Sequence, residues 1–190
     1  MKSIANNSAE YELYKPDVKY WYAVYVRSRH EKKVHQLLLE KGVESSLPLI
    51  KTTRKWSDRK KKLQLPMFRG YVFGKINLNI DKLNVLQTPG VVKFIHFNNQ
   101  IPSIPEEQIF WLNTILTSES EINYETQYLP GNEAEVIAGP FMGLKGKVIK
   151  QKSVLRVILW IDIIMQGVSV EIDPANLTVL KNIEQSFNQY

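Results

Sequence analysis

The sequence predicts an α+β protein in two parts: a sheet-and-helix domain over residues 20–117, then a small β-barrel over residues 128–182. Three observations predict it. Strand-like and helix-like periods alternate through the first 117 residues. A polar, acidic stretch without a core pattern, SESEINYETQ at 118–127, then interrupts them and reads as a linker. Beyond it, short apolar runs follow one another between glycines and prolines, as the strands of a small barrel do.

The bulk properties fit a globular protein. The chain has 190 residues, 44% hydrophobic and 23% charged, which is enough to bury a real core. No apolar run approaches the ~18 residues of a transmembrane helix, so no membrane partner is expected. The first residues, MKSIANNSAEYELYKPD, lack the apolar stretch of a signal peptide. Residues 1–19 read as a flexible tail, and 183–190 as a second one. With no cysteine there is neither disulfide nor thiolate metal site, which fits a reducing, cytoplasmic setting. A net charge of +6 favours polyanionic partners, nucleic acid first.

Taken in order, residues 20–26 (YWYAVYV) are aromatic and β-branched and predict a strand. Tyr22, Val24 and Val26 would face the core, while Trp21, Ala23 and Tyr25 lead out to Arg27. Ser28 and Glu31 have capping-box spacing. A helix should follow over 29–41, with Val34, Leu37 and Leu38 inward. Lys41 complements its C-terminal end, and Gly42 can end it with a left-handed residue.

A second strand over 43–50 is expected to break at Pro48. Residues 51–62 (KTTRKWSDRKKK) form the densest basic run and read as a hairpin tip. Arg54, Lys55, Arg59, Lys60 and Lys61, with Trp56 interleaved, suit charge neutralisation plus stacking on a nucleic acid. The plainer reading is a solvated loop that contacts nothing.

Residues 65–75 alternate with period two and predict a third strand. Phe68, Gly70 and Val72 would lie on one face, and Arg69, Tyr71, Phe73 and Lys75 on the other. Asn79 can cap a short helix with Ile80, Leu83 and Leu86 inward. Residues 91–97 (VVKFIHF) predict a fourth strand, Asn98-Asn99 a turn, and 100–104 a short return. Ser103, Pro105 and Glu106 mark another helix start, with Ile109, Leu112, Ile115 and Leu116 as its apolar stripe. The order matches the split β-α-β pattern of ferredoxin-like folds, with helices on one face of an antiparallel sheet and the other face partly open. In the second part, strands are expected over 133–137, 146–150, 154–161 and 168–172.

Little in the sequence supports catalysis. His30, His35 and His96 have no metal-type partners, and His30 and His35 are five residues apart, off one helical face. Glu106 and Glu107 begin a helix, where carboxylates complement the dipole. Gly146-Lys147 enters a strand and lacks the serine or threonine of a phosphate loop. No catalytic residue, metal or cofactor is therefore expected. If the first and third strands are neighbours, Tyr25, Tyr71 and Phe73 collect on the uncovered face. Arg27, Arg69 and Lys75 would rim that patch. A partner offering an apolar helix and a polyanion would satisfy it.

These residues resemble NusG-type transcription elongation factors. The Trp-Tyr strand start, the helix, the basic hairpin and Phe68-Arg69-Gly70-Tyr71-Val72 resemble the family's N-terminal (NGN) domain. Gly131-Asn132-Glu133-Ala134-Glu135-Val136, then Gly139-Pro140-Phe141 and Gly143-Leu144-Lys145-Gly146-Lys147-Val148, resemble its C-terminal KOW domain, an SH3-like β-barrel. The WYAVYVRSRHEKK segment is most similar to UpxY-type paralogues, specialised antiterminators of capsular-polysaccharide operons. The resemblance implies a non-enzymatic factor that docks an aromatic cavity on the clamp helices of RNA polymerase and promotes processive transcription. The cavity positions would be Tyr25, Tyr71 and Phe73, with Phe68 supporting them. Arg27, His30 and Lys33 would meet non-template DNA or leader RNA, and the KOW domain a further protein. Two departures stand out. Arg69 replaces a usual proline, and Ile163-Ile164-Met165-Gln166 replaces an Ile-Phe-Gly-Arg run. The alternative is a KOW-containing ribosomal or general RNA-binding protein.

Overall fold

In the computed structural model, β1 (Tyr20–Val26) is a central strand of the first sheet. The structure describes residues 18–55, 60–118, 120, 122–125, 131–151 and 154–181. The two expected tails lie outside these residues, apart from Val18 and Lys19, and so do Trp56 and Arg59. After β1 come α1 (Glu31–Glu40), β2 (Glu44–Ser46), β3 (Leu49–Lys55), β4 (Lys60–Pro66), β5 (Tyr71–Ile76), α2 (Leu78–Leu86), β6 (Val91–Phe94) and α3 (Glu106–Thr117). The sheet order β2-β5-β1-β6 is antiparallel throughout, which is the split β-α-β arrangement. β3 and β4 form a separate two-stranded hairpin inserted between β2 and β5.

One face of this sheet follows the expected alternation. Tyr22, Val24 and Val26 are buried with Val34 and Leu38 of α1, Val72 and Ile76 of β5, Val85 and Phe94. The α1 helix ends as its sequence implies. Gly42 takes φ 74, and the Lys41 ammonium donates to the Asn84 carbonyl (2.8 Å) and to Thr88 Oγ1 (2.9 Å). Asn98 and Asn99 are both left-handed, and Phe97 and Gln100 exchange backbone hydrogen bonds around them.

Several expectations are corrected. The Ser28 capping box does not form. Arg29 is left-handed (φ 63), α1 starts at Glu31 instead of residue 29, and the Glu31 side chain bonds elsewhere. Ser103 does not cap α3 either, which begins directly after Pro105. The predicted 65–75 strand is broken: β4 stops at Pro66 and β5 starts at Tyr71, with a turn between. That turn swings Phe68 away from Val72 and onto Phe73, ring centroids 6.0 Å apart. α2 is capped by Asn77, whose side chain accepts the Asn79 amide, and its inward stripe is Leu78, Val85 and Leu86. Ile80 and Leu83 are exposed.

The face expected to be open is covered. Trp21, Ala23 and Phe73 are buried beneath Ile104, which pairs with Trp21, and among Ile109, Leu112 and Ile115 of α3. Two polar contacts fix α3 there, and a third ties it to the second part of the chain. Lys75 pairs with Glu106, the Ser46 hydroxyl meets Asn113 Oδ1 (3.4 Å), and Gln108 Nε2 donates to the Trp160 carbonyl (3.4 Å). Lys75 is thereby paired with Glu106, with Glu44 at 4.0 Å, and lies over the Trp21 ring (6.0 Å to its centroid) instead of rimming the expected Tyr25, Tyr71 and Phe73 patch.

The second part contains β7 (Ile122–Glu125), β8 (Asn132–Val136), β9 (Lys145–Gln151), β10 (Val154–Ile161), β11 (Gln166–Glu171) and β12 (Leu177–Lys181). They form a six-stranded antiparallel sheet in the order β12-β8-β9-β10-β11-β7, with β12 and β7 as its edges, and, among the described residues, not the closed barrel expected from the sequence. β7 falls within the stretch read as a linker and β12 follows the last expected strand; neither was anticipated. β7 is held by a polar chain. Buried Arg156 donates to Ser169 Oγ (3.0 Å) and to the Ser169 carbonyl (2.9 Å), and the Ser169 hydroxyl donates to Glu125 (2.7 Å). The two parts touch: one apolar cluster runs from Trp21 and Phe73 through α3 to Val157, Ile161 and Val170.

Candidate docking groove beside Tyr25 and Tyr71

Antiparallel pairing of β1 with β5 puts Tyr25 opposite Tyr71. Their rings meet edge to face, centroids 5.6 Å apart, a favourable aromatic geometry. Tyr25 is 38% exposed and Tyr71 half-buried. Burial, and then the neighbouring Tyr25, push the Tyr71 hydroxyl above the ordinary phenol range, so the Tyr71 phenol stays neutral at physiological pH.

The turn before Tyr71 shapes the site. The Tyr71 amide donates to the Phe68 carbonyl (3.2 Å), leaving Arg69 and Gly70 as central turn residues. Gly70 has φ 82, the left-handed third residue of a type II turn. A Cβ there would also come within 3.1 Å of the Tyr25 ring. Its amide donates to Glu31 Oε1 (2.9 Å) and its carbonyl accepts the Val26 amide (2.8 Å). Arg69 occupies the second turn position, where proline is favoured because its φ is preset.

Beside this turn lies a groove of 760 Å³ between the β1–α1 connection and the base of β4. Tyr25, Leu63, Leu65 and Pro66 give it apolar surface, and Arg29, Lys32 and Arg69 bring three cations. Among the described residues Glu31 is its only carboxylate; it is buried and accepts the Gly70 amide. Arg29 and Lys32 were not singled out by the sequence, because their placement depends on the left-handed turn at Arg29.

The comparisons with known proteins bear on this domain. The family model described as "Transcription termination factor nusG" matches residues 19–113. The chain belongs to the NusG family. This is a family of transcription elongation and antitermination regulators. Among solved structures, "Domain interaction in Thermotoga maritima NusG" is similar at 20% identity and TM-score 0.46, covering 86% of this chain and 98% of that one. The "MjSpt4:Spt5 complex" is similar at 19% identity and TM-score 0.30 in conformation A, covering 85% and 99%. In conformation B the values are 20%, 0.31, 85% and 97%. No curated protein matches the chain.

The structure distributes the expected site residues of this NusG-family chain unevenly. Tyr25 and Tyr71 come together at the surface. Phe68 and Phe73 lie beneath them, both fully buried. Arg27 and Lys33 are exposed but do not line the groove. His30 packs beneath Gly90, whose added Cβ would meet its ring at 3.2 Å. The backbones of Arg54 and Lys61, and of Lys55 and Lys60, are register partners across the hairpin; their side chains, and Arg59 entirely, lie outside the described residues. Among the described residues no His, Asp or Glu cluster could hold a metal ion, and no helix is long and apolar enough to cross a membrane.

Proposed function

We propose that this chain docks on the clamp helices of RNA polymerase and promotes processive transcription of specific operons, of the capsular-polysaccharide type. The observation that carries the reading is the Tyr25–Tyr71 pair at the edge of a basic, apolar-walled groove, within the segment matched by the NusG family model. Phe68 and Phe73 act from below, fixing the turn and strand that present Tyr71. The factor works by binding energy and geometry, in the cytoplasm, without covalent chemistry.

Nucleic acid is the second partner. Arg27 and Lys33 extend into solvent beside α1, with His30 between them, and the β3–β4 hairpin carries Arg54, Lys55, Lys60 and Lys61. Non-template DNA or leader RNA supplies the polyanion. The six-stranded sheet serves as the SH3-like KOW module. Ile164 and Gln166 stand where the usual run has its aromatic and its arginine, which favours a protein partner other than the housekeeping ones.

Capture of core RNA polymerase by the full chain, compared with Tyr25→Ala plus Tyr71→Ala, tests the docking. Loss of capture in the double variant is expected. Equal capture overturns it, and tight RNA binding by the full chain without any polymerase capture would favour a ribosomal or general RNA-binding role.

A further inference from the structure

We infer that the groove selects an amphipathic helix whose apolar ridge is bordered by carboxylates, and that Arg69, with Arg29 and Lys32, sets this charge preference. The inference rests on the docking reading above and specifies what the docked helix must carry.

Three observations lead to it. The first is the sign of the site. Arg29, Lys32 and Arg69 all line the groove, and among the described residues the one carboxylate there is Glu31, buried and hydrogen-bonded to the neutral Gly70 amide. One carboxylate against three cations leaves the described lining of the groove net positive. An occupant that buries them without supplying negative charge would leave desolvated, unpaired cations.

The second is the backbone at Arg29. Its φ of 63 is a conformation that costs an L-residue about 1–2 kcal/mol and that glycine or asparagine would hold more cheaply. A long cation stands there instead, and it lines the groove. Likewise Arg69 holds the turn position that proline would rigidify, and it is exposed beside the groove. At two neighbouring turns the local backbone preference has yielded to an arginine.

The third is the lining. Leu63, Leu65 and Pro66 form an aliphatic wall, and among the described residues Tyr25 is the only aromatic in the lining. A single nucleic-acid strand needs successive aromatic platforms for its bases and a polar track for its phosphates. An apolar wall edged by cations fits the ridge of a helix with acidic flanks, read at i, i+3 and i+4 spacing.

The test uses the full chain and core RNA polymerase, with equilibrium binding measured for Arg69→Glu, Lys32→Glu, Arg69→Lys and the Tyr25→Ala plus Tyr71→Ala variant. Arg69 and Lys32 are exposed, and thermal melts confirm that each variant folds. Reversal of either charge is expected to weaken binding about tenfold or more through like-charge contact. Arg69→Lys keeps most of the binding, and added salt narrows the gap between wild type and the reversals. A polymerase whose docking-helix carboxylates are changed to lysine should bind Arg69→Glu better than wild type. If the tyrosine variant loses binding but the charge reversals do not, the charge rule falls and the docking reading stands. If none of them alters binding, both fall. If the reversals spare polymerase binding but abolish retention of a single-stranded oligonucleotide, the groove holds nucleic acid and the inference is overturned.

Discussion

The Gly70 amide donates to the buried carboxylate of Glu31 at 2.9 Å, joining the first turn of α1 to the turn that carries Arg69. These residues are 39 apart in sequence, and neither belongs to the strand pairing that holds β1 to β5. Replacing Glu31 with alanine leaves a buried N–H unpaired, at a cost of about 1–3 kcal/mol. Glu31→Gln keeps an acceptor oxygen and should cost distinctly less. Urea unfolding of the two variants measures the difference, and equal losses would show that the bond to Gly70 contributes little.

Arg69 is expected to trade rigidity for charge. Arg69→Pro presets the turn and should raise stability by about 0.4–1 kcal/mol, through the unfolded chain. The same change removes a groove cation, so polymerase binding should weaken while the melting temperature rises. A fall in both would mean that proline does not fit the Arg69 backbone.

His35 gives the stability a pH dependence of known sign. Its ring lies 2.9 Å from Ser45 Oγ, and burial lowers its pKa below the ordinary 6.5. The unfolded chain then binds the proton more tightly than the folded one. This contribution is complete above pH 6.5 and is lost as pH falls through the window below it, toward the folded-state pKa. His35→Gln removes the ionisation, so its unfolding free energy should fall less steeply than wild type between pH 6.5 and 5, an interval set by the free histidine value. Parallel profiles would contradict the assignment.

Ser169 links Arg156 to Glu125 and thereby β11 to β7. Ser169→Ala removes the hydroxyl shared by a buried guanidinium and a carboxylate, at about 1–3 kcal/mol. Backbone amides of β7 should exchange with solvent faster, while those of β1 keep their protection. Unchanged exchange in β7 would show that its backbone ladder suffices.

What could be read from the sequence followed from local periodicity. Tyr22, Val24 and Val26 alternate, Val34 and Leu38 recur at helical spacing, and together they form the core beneath α1. Alternation failed where it ran unbroken through a turn: residues 65–75 look like one strand, yet Gly70 reverses the chain and moves Phe68 to the other side. In α2, Ile80 and Leu83 fit an apolar stripe as well as Leu78 and Val85 do, and only packing chooses between them. β7 has little apolar content of its own and is made a strand by its partner. Tyr25 and Tyr71 were visible as aromatics on adjoining strands. The groove was not, because it depends on the left-handed Arg29 and on a carboxylate that bonds across the fold.

The helix α3 has consequences for how the protein could be taken apart. Residues 106–117 belong by chain order to the first domain, but Trp111 stacks within 3.4 Å of where a Gly143 side chain would begin, and Gln108 bonds to Trp160. A cut placed after Thr117 would respect the chain and still strip one flank of this helix. The excised first domain would show an indole and its apolar surround to water, a surface prone to self-association. A fragment meant for crystallisation or chimeras would need a polar residue at 111, so the seam between the two halves is a helix to be redesigned, not a loop to be severed.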